Sequence, residues 1–391
     1  EVKFYFVKLD FASQNKEDYM KKTLSILLAM GMTVGMVAGC GDTSDNSSAA
    51  DNSAAASTEA GTDGTQAAAS AADIKVGVIY IGDENEGYTA AHMAGIDEMA
   101  ANLGLSDDQI IEKTTIPEDE SCYDAAVDLA DQGCNIIFAT SFGHETYILQ
   151  AAQEYPDIQF CHATGYQAAS SGLSNMHNYF DAIYEARYVS GVVAGMKLNE
   201  MIENGDITAD QAKIGYVGAF PYAEVISGFT SFYLGAKSVC ESVTMEVQYT
   251  NSWADMTAEG EVANQLIADN CVLISQHADT TGAPSACETA GVPCVGYNVD
   301  MTSVAPDAAL TSPTNNWGVY YTYAVQCVLD GKAIDTDWCK GFSEDAVRIT
   351  PVNEAVAAEG TDAKVEEVEA ALKDGSLHVF DTSKFTVNGS S

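Results

Sequence analysis

The feature that most constrains this chain is a regular alternation of short β-branched runs with amphipathic helical segments. Helical patterns at residues 88–103, 121–132 and 317–330 each end at a glycine, which favours the left-handed conformation that closes a helix. Strands that alternate with helices are typical of βαβ units and parallel sheets. The runs that we predict to be strands are residues 74–81, 109–115, 135–140, 158–163, 213–219, 244–249, 271–276, 293–298 and 347–351.

A long helical pattern at residues 184–199 divides these segments into two series of βαβ units. Nine strands are more than one mononucleotide-binding unit normally contains. The chain is therefore predicted to be an α/β protein with two doubly wound parallel-sheet lobes. In such proteins ligands bind beyond the carboxyl ends of the strands, and between the lobes when there are two.

The amino-terminal part of the chain predicts export. Met20-Lys21-Lys22 precedes a short apolar run at 24–37, as in a secretory signal peptide, which we place at residues 20–39. The segment Val37-Ala38-Gly39-Cys40 resembles the bacterial lipobox, in which the cysteine becomes the lipidated first residue of the mature protein. The alternative is an ordinary signal peptide followed by an unrelated cysteine.

The segment after Cys40 is predicted to be a flexible tether over residues 40–72. Residues 42–72 contain only small or polar side chains and Glu, which cannot bury enough surface to offset the entropy of ordering. Residues 1–19 fit neither a signal peptide nor a tether, and we interpret them as sequence upstream of the true start. The folded part is thus expected to lie at the outer face of a membrane, anchored through Cys40.

The charge of the chain excludes several classes of ligand. There are 17 Lys plus Arg against 57 Asp plus Glu, for a formal net charge of −40, so nucleic acid is excluded as a partner. The loop at 82–89 has the glycine spacing of a P-loop, but Tyr88 stands in place of its lysine and three acids would repel phosphate. The loop also lacks Gly-x-Gly-x-x-Gly, so a dinucleotide is not expected.

The predicted strand ends carry aromatic, hydroxyl, amide and acidic side chains. Two aromatic faces can enclose a flat, uncharged ring, while amides and carboxylates select the hydrogen-bonding pattern of its edge. A single aromatic at such a position is equally consistent with packing between lobes, but the recurrence indicates a ligand site. These residues are Tyr88 and those at 141–143, 164–166, 220–222, 251–255, 276–279 and 297–300.

Motifs of catalysis and metal binding are missing from the sequence. The six His show no metal-binding spacing, the ten Cys include no Cys-x-x-Cys pair, and no Gly-x-Ser-x-Gly occurs. We expect no catalytic residue, metal or cofactor. His277 and Asp279 are candidates for the cleft, whereas His92 is expected to pack within a lobe. Of the nine cysteines besides Cys40 some could pair, but those in apolar strands, such as Cys161, favour buried thiols.

Four segments together resemble the basic membrane protein family of ABC-transporter substrate-binding lipoproteins, which includes purine nucleoside receptors. They are Gly87-Tyr88-Thr89-Ala90-Ala91-His92 with Gly95, Asn135 to Ser141, Ala186 to Gly191, and Asn251-Ser252-Trp253. The resemblance runs from about residue 73 to about residue 380. It implies a type I periplasmic-binding-protein fold, with lobes at 73–181 plus 301–332 and at 182–300 plus 333–391, joined by a hinge of three crossings.

The resemblance also implies site residues. Tyr88 and Trp253 stand at the positions of the two aromatics that enclose the base, whereas Asn85 and Thr164 replace acids of the family. Residues 311–315 lack the lysine that binds ribose in nucleoside receptors, which favours a free base over a nucleoside. The ligand-binding residues that we predict are Tyr88, Asn85, Thr89, Ser141, Phe142, Thr164, Phe220, Trp253, Asp279, Asn298 and Asp300.

The resulting hypothesis is a lipid-anchored, monomeric receptor that captures a purine base or nucleoside and presents it to an ABC permease and its ATPase. Two alternatives stay open. A receptor of the same fold would report the ligand to a membrane signalling partner. A nucleoside hydrolase would need clustered carboxylates, for which the acids at 83–86 are the densest group at a strand end.

Overall fold

Two parallel β-sheets, each covered by helices on both faces, form the described part of the chain. The structure is a computed structural model that describes residues 72–381 and 383. The predicted signal peptide, Cys40, residues 1–19 and all of the tether except Ala72 lie outside these residues. Within them, no helix is both long and apolar enough to cross a bilayer.

The strands are short and mostly buried. They are β1 (Val76–Ile79), β2 (Ile110–Lys113), β3 (Ile136–Ala139), β4 (Gln159–Ala163), β5 (Met176–Tyr179), β6 (Lys213–Gly218), β7 (Thr244–Tyr249), β8 (Leu273–Gln276), β9 (Cys294–Val295), β10 (Pro313–Asn315), β11 (Asp337–Trp338) and β12 (Val347–Ile349). All nine predicted strands are present; β7 has the predicted bounds and the other eight are shorter than predicted. Sequence reasoning missed β5, β10 and β11.

The helices follow the strands as the βαβ pattern predicts. They are α1 (Gly87–Leu103), α2 (Glu120–Asp131), α3 (Glu145–Glu154), α4 (Ala168–Ser171), α5 (Ile183–Asn204), α6 (Ala223–Val239), α7 (Met256–Ala268), α8 (Gly282–Ala290), α9 (Trp317–Asp330) and α10 (Thr361–Lys373). Gly104 and Gly331 close α1 and α9 in the left-handed conformation, as expected. The predicted helix at 184–199 is longer at its C-terminal end than its pattern indicated.

The N-terminal lobe is built on a six-stranded sheet in the order β11-β5-β4-β3-β1-β2, with every neighbouring pair parallel. Alternate side chains of β3 enter different cores. Ile136 and Phe138 pack on the face covered by α1 and α9, whereas Ile137 and Ala139 pack on the face covered by α2 and α3. Burial on both faces explains why these strands read as continuous apolar runs.

The C-terminal lobe is built on a four-stranded parallel sheet in the order β7-β6-β8-β9. Ile214 and Tyr216 of β6 pack against the core formed with α5 and α6, while Val217 packs on the opposite face. A separate antiparallel pair, β10 with β12, completes the described strands. The two doubly wound lobes predicted from the sequence are thus confirmed.

The chain passes between the lobes three times. The first and third crossings lie side by side, because Phe180 N donates to Trp338 O at 3.0 Å and Ala182 N donates to Lys340 O at 2.7 Å. The second crossing is at Asn316, whose backbone N donates to Ala346 O at 2.8 Å. These short, hydrogen-bonded crossings form the hinge of a type I periplasmic-binding-protein fold.

The strand pairing places two lobe boundaries differently from the sequence prediction. Residues 301–315, expected in the N-terminal lobe, belong to the C-terminal lobe, since residues 308–313 hydrogen bond along β9 and β10 pairs with β12. Residues 333–338, expected in the C-terminal lobe, belong to the N-terminal lobe because β11 pairs with β5. Both strands are too short and too polar to be recognised from a hydrophobic pattern.

The cysteines of the described residues are free thiols. Eight are buried, including Cys161, Cys271 and Cys294, and only Cys339 is exposed. Their burial agrees with the expectation that small thiols fill the cores.

Helices α5 and α6 pack so closely that side chains are excluded at their contact. A β-carbon added at Gly235 would clash with the backbone carbonyl of Tyr188, and one added at Gly191 would clash with the carbonyl of Phe232. Neither carbonyl can move without displacing a helix. Glycine is therefore required at both positions.

We predict that Gly235→Ala lowers the free energy of unfolding by about 1–3 kcal/mol, because the added methyl group forces the helices apart. The matched control is Gly260→Ala in α7, where the nearest atom would lie 3.5 Å from the new β-carbon. This control is expected to be neutral or to stabilise by up to about 1 kcal/mol through helix propensity. Urea unfolding of both variants provides the test, and equal effects would contradict the prediction.

Candidate functional site

A cavity of about 620 Å³ lies between the lobes, at the carboxyl ends of the strands of both sheets. This volume is within the range of small-molecule sites. Among the described residues, its lining is rich in aromatic rings and includes three acidic side chains but no Lys or Arg. The described residues that line it are Ile81, Gly82, Glu86, Tyr88, Thr140, Ser141, Phe142, Thr164, Gly165, Tyr166, Phe180, Pro221, Tyr222, Ala223, Glu224, Trp253, Ala254, His277, Asp279 and Tyr297.

Tyr88 enters the cavity from the first turn of α1. Glu86 caps this helix, because its carboxylate accepts hydrogen bonds from Tyr88 N at 2.6 Å and Thr89 N at 2.9 Å. The Tyr88 hydroxyl donates to Thr140 O at 2.7 Å. The ring also meets His92 edge to face, with ring centroids 4.4 Å apart. Its orientation is therefore set by the helix cap, one hydrogen bond and two ring contacts, the second with Trp317 at 6.0 Å.

Trp253 enters the same cavity from the C-terminal lobe, in the loop after β7. Its ring packs edge to face against Phe220, with centroids 5.0 Å apart, and Tyr222 stacks on Phe220 and lies 5.9 Å from the Trp253 ring. Asp279 N donates to the Trp253 carbonyl at 2.9 Å, which ties this loop to the one after β8. The two aromatics that the sequence singled out thus face one cavity from opposite lobes.

The mouth of the cavity is crossed by aromatic rings. Phe142 of the N-terminal lobe stacks on Tyr222 of the C-terminal lobe, with centroids 5.3 Å apart and ring planes at 28°. Tyr166 lies beside Phe142 and is 71% exposed. Ring stacking across the mouth favours the closed arrangement of the lobes.

A backbone hydrogen bond also joins the lobes beside the cavity. Gly87 N, at the start of α1, donates to Asp279 O at 3.1 Å. A β-carbon at Gly87 would lie 3.0 Å from the same carbonyl oxygen, so this close approach favours glycine. The described conformation is therefore closed on this side.

One of the three acidic groups in the cavity, Asp279, favours the neutral form. Burial is the main reason that the pKa of Asp279 is raised well above its ordinary value, and the nearby Glu86 and Glu259 raise it further. Asn298 Nδ2 donates to Asp279 Oδ1 at 2.7 Å, which leaves the other oxygen to carry the proton. Burial likewise raises the pKa of Glu86.

The third acid, Glu224, favours the charged form. Burial by itself would raise its pKa, but His277 and Arg187 together lower it below the ordinary value. His277 Nε2 lies 2.7 Å from Glu224 Oε2. The cavity therefore combines an ionised carboxylate, that of Glu224, with a protonated carboxyl group, that of Asp279.

The structure brings six of the predicted site residues to the cavity wall and leaves five away from it. Those at the wall are Tyr88, Ser141, Phe142, Thr164, Trp253 and Asp279. Those away from the wall are Asn85, Thr89, Phe220, Asn298 and Asp300.

The five residues away from the wall have structural contacts instead. Asn85 is exposed and donates to Asp83, and Thr89 is buried and accepts from Gly82 N. Asp300 is exposed and accepts from Thr302 N at 2.8 Å. Phe220 and Asn298 act through their neighbours, since Phe220 packs against Trp253 and Asn298 holds the carboxyl group of Asp279.

Several residues of the cavity and its surroundings were not recognised as ligand-binding from the sequence. Phe180 lies in the first crossing, and Glu224 lies in the first turn of α6 rather than at the end of a strand. Arg187 is fully buried in α5 behind the cavity wall. Only Glu224 had a sequence signal, as an acid in the first turn of a helix that follows a strand.

His92 lies where the sequence reasoning placed it. His92 is buried in the N-terminal lobe, where it stacks on Trp317 at 4.1 Å and its Nδ1 lies 2.6 Å from the Tyr321 hydroxyl. This confirms the expectation that it packs within the lobe. In the described ranges, no group of three or more potential ligands could hold a metal ion.

We predict that Gly87→Ala shifts the lobes towards an open arrangement by a factor of about 5–30, equivalent to 1–2 kcal/mol. The added methyl group meets the Asp279 carbonyl only when the lobes are closed. Small-angle X-ray scattering should show a larger radius of gyration, with Asn85→Ala, an exposed position in the same loop, as the control. An unchanged scattering profile would contradict the prediction.

We predict that Glu259 makes stability fall as pH rises. Burial raises the pKa of this carboxyl group from 4.5 to about 7 in the folded protein. The folded state therefore keeps the proton over a range in which the unfolded state has lost it, so the free energy of unfolding declines from pH 4.5 to pH 7 by roughly 3 kcal/mol.

Glu259→Gln should remove this part of the decline, because an amide does not titrate in this range. The control is Glu261→Gln, at an exposed position of the same helix. Urea unfolding at several pH values measures the difference, and parallel pH profiles for wild type and Glu259→Gln would refute the assignment.

Comparison with known proteins identifies the family. The profile described as Bmp, ABC transporter substrate-binding protein PnrA-like, matches residues 74–377. A purine-binding protein of Brucella abortus is 33% identical over 311 residues, which cover 78% of this chain and 83% of that protein. A putative ABC transporter glucose-binding protein of Haloferax volcanii is 36% identical over 197 residues, covering 50% of this chain and 46% of that protein.

A solved structure supports the fold. An ABC transporter solute-binding protein from Conexibacter woesei superimposes with a TM-score of 0.64 at 19% identity, covering 78% of this chain and 98% of that one. Together with the profile and the Brucella relative, the two-lobed cavity shows that this chain belongs to the PnrA-like family of ABC transporter substrate-binding proteins.

Proposed function

We propose that this protein binds a purine, as the free base in preference to the nucleoside, and delivers it to the permease and ATPase of an ABC importer. The observation that carries this proposal is that Tyr88 and Trp253, from opposite lobes, line one closed cavity. A flat ring between them gains stacking on each face in addition to its buried area. Lobe closure is a hinge motion that a ligand contacting both lobes would stabilise.

The cavity wall supports a free base over a nucleoside. Residues 311–315, where a ribose-binding lysine was sought, are buried, and Pro313–Asn315 form β10. No Lys or Arg occurs among the described lining residues. The polar groups are carboxyls, hydroxyls and one imidazole, which suit the edge of an uncharged heterocycle.

The relatives suggest two ligand classes. The name of the Brucella abortus protein supports a purine, and that of the Haloferax volcanii protein makes a sugar the second candidate. Seven of the twenty lining residues are aromatic. A sugar needs many hydrogen bonds to its hydroxyl groups, so this composition favours the flat ring.

The proposal includes a lipid anchor and places the protein outside the cytoplasm as a monomer. The anchor rests on Cys40 and the lipobox-like sequence before it. Mass spectrometry of the protein from its membrane would detect the diacylglycerol on Cys40. A Cys40→Ser variant released from the membrane would support the anchor.

The ligand can be identified directly. Small molecules extracted from the purified protein are analysed by mass spectrometry, and calorimetry then compares purine bases, nucleosides and glucose. Incubation with inosine tests the hydrolase alternative, since free hypoxanthine would reveal catalysis. Genes for a permease and an ATPase beside this one would distinguish transport from signalling.

We predict that Trp253→Ala weakens purine binding about tenfold or more, the equivalent of about 1.4 kcal/mol, because one aromatic face is lost. Trp253→Phe keeps a ring and should lose less. Calorimetry measures both, and circular dichroism checks that the variants fold. Equal affinity for wild type and Trp253→Ala would remove Trp253 from the site.

A further inference from the structure

Arg187 is a fully buried cation behind the wall of the cavity. Its Nη1 donates to the Tyr216 hydroxyl at 2.7 Å and to Gln276 O at 3.1 Å, and its guanidinium lies 3.9 Å from the centroid of the Tyr297 ring. Nε and Nη2 have no hydrogen-bond partner among the described residues. A buried charge of this kind needs a compensating charge nearby.

Glu224 supplies that charge from the cavity wall. The ion pairs of residues 72–381 and 383 do not include Arg187, but the charge of Arg187 acts on Glu224 and lowers the pKa of its carboxyl group. Glu224 also lies in the first turn of α6, where the helix dipole favours a negative charge. The charge of Arg187 and the dipole of α6 thus both stabilise the charged form of Glu224.

His277 holds this carboxylate in position. Its Nε2 lies 2.7 Å from Glu224 Oε2, and burial followed by the charge of Arg187 lowers the pKa of the imidazole. A neutral imidazole donates from Nε2, which leaves Nδ1 without a proton. His277 Nδ1 has no partner among the described residues.

Glu224 keeps capacity to accept further hydrogen bonds. An ionised carboxylate has about four lone-pair sites, of which His277 occupies one. Oε1 has no partner in the described part of the chain. The side chain lines the cavity and is 29% exposed as a whole, whereas Oε1 itself is buried in this conformation, so a ligand contacts this oxygen only after the carboxylate rotates.

Asp279 offers the opposite chemistry on the same wall. It accepts from Asn298 through Oδ1, and burial favours its protonated form, which can donate. The cavity therefore distinguishes two parts of a ring edge, one that must donate to Glu224 and one that can accept from Asp279. Charged hydrogen bonds of the first kind are the stronger ones.

We propose that Glu224 is the specificity-determining acceptor of the site, which selects rings bearing an exocyclic amino group, and that Arg187 and His277 are positioning residues that act through it. This inference rests on the proposed function, since it assigns the ligand chemistry of the same cavity. A ring that presents two neighbouring N–H donors matches a carboxylate, whereas a carbonyl or an anionic ring meets repulsion.

The test compares rings that differ by one amino group. Calorimetry measures the affinity of purine against adenine, hypoxanthine against guanine, and benzimidazole against 2-aminobenzimidazole. Wild type should prefer the amino member of a pair by about tenfold or more. Glu224→Gln, which keeps the shape but loses the charge, should reduce this preference to about threefold or less.

The outcomes separate the two proposals. An unchanged preference in a Glu224→Gln variant that still binds would overturn the role of Glu224 and leave purine binding intact. The preference for an amino group could instead occur only in the benzimidazole pair and disappear in Glu224→Gln. That result would support the role of Glu224 as the acceptor but would refute a purine as the ligand. Wild-type protein that binds no member of any pair would overturn both.

A pH profile tests the role of Arg187. Glu224 accepts only when ionised, so binding of the amino ligand is lost as pH falls through its lowered pKa. In Arg187→Met the loss should begin at a higher pH, and Arg187→Lys, which keeps the charge, should restore the wild-type profile. Identical pH profiles for wild type and Arg187→Met would exclude the positioning role of Arg187. If Arg187→Met does not fold, the comparison of wild type with Glu224→Gln decides.

The titratable groups around Glu224 come from several elements. They are Arg187 of α5, Tyr216 of β6, His277 and Asp279 after β8, and Tyr297 after β9. Burial raises the pKa of both tyrosines and of Asp279, so these groups stay neutral while Glu224 titrates. The acid limb of the profile therefore belongs to Glu224 and its two partners.

Discussion

Parallel pairing within both sheets is the constraint on which the cavity depends. Because neighbouring strands run in one direction, every loop that follows a strand leaves at the same edge. The three crossings at 180–182, 316 and 339–341 then bring the two edges together. Aromatic and acidic side chains that are far apart in the sequence thereby share one wall, which neither lobe could form by itself.

Closure gives this wall its chemical character. When the lobes meet at Gly87 and Asp279, the carboxyl groups lose water and their proton affinities diverge. Asp279 has only an amide partner and favours the neutral form, whereas Glu224 has a buried cation behind it and stays charged. Burial therefore stabilises ring stacking and also leaves Asp279 as a hydrogen-bond donor and Glu224 as an acceptor. A cavity of this kind binds uncharged rings and discriminates between their edges.

Sequence periodicity was sufficient to predict those strands and helices whose own residues bury an apolar surface. The nine predicted strands and the helices with glycine ends are of this type. By contrast, β5 reads Met-His-Asn-Tyr and β11 has two residues, so neither carries a hydrophobic signature. They are strands because neighbouring backbone pairs with them. For the same reason the lobe boundaries near 316 and 339 follow hydrogen bonds that no local pattern encodes.

What the sequence by itself determined is the βαβ architecture and the set of side chains that follow the strands, among them Tyr88, Trp253 and Asp279. These depend on hydrophobic period and chain order, which are local properties. Only the tertiary structure decided which of the set reach the ligand. Thr89 is adjacent to Tyr88 yet faces the lobe interior, because a helix turns about 100° per residue. Arg187 and Glu224 interact across two helices, since charge compensation in a buried site depends on distance in space rather than along the chain.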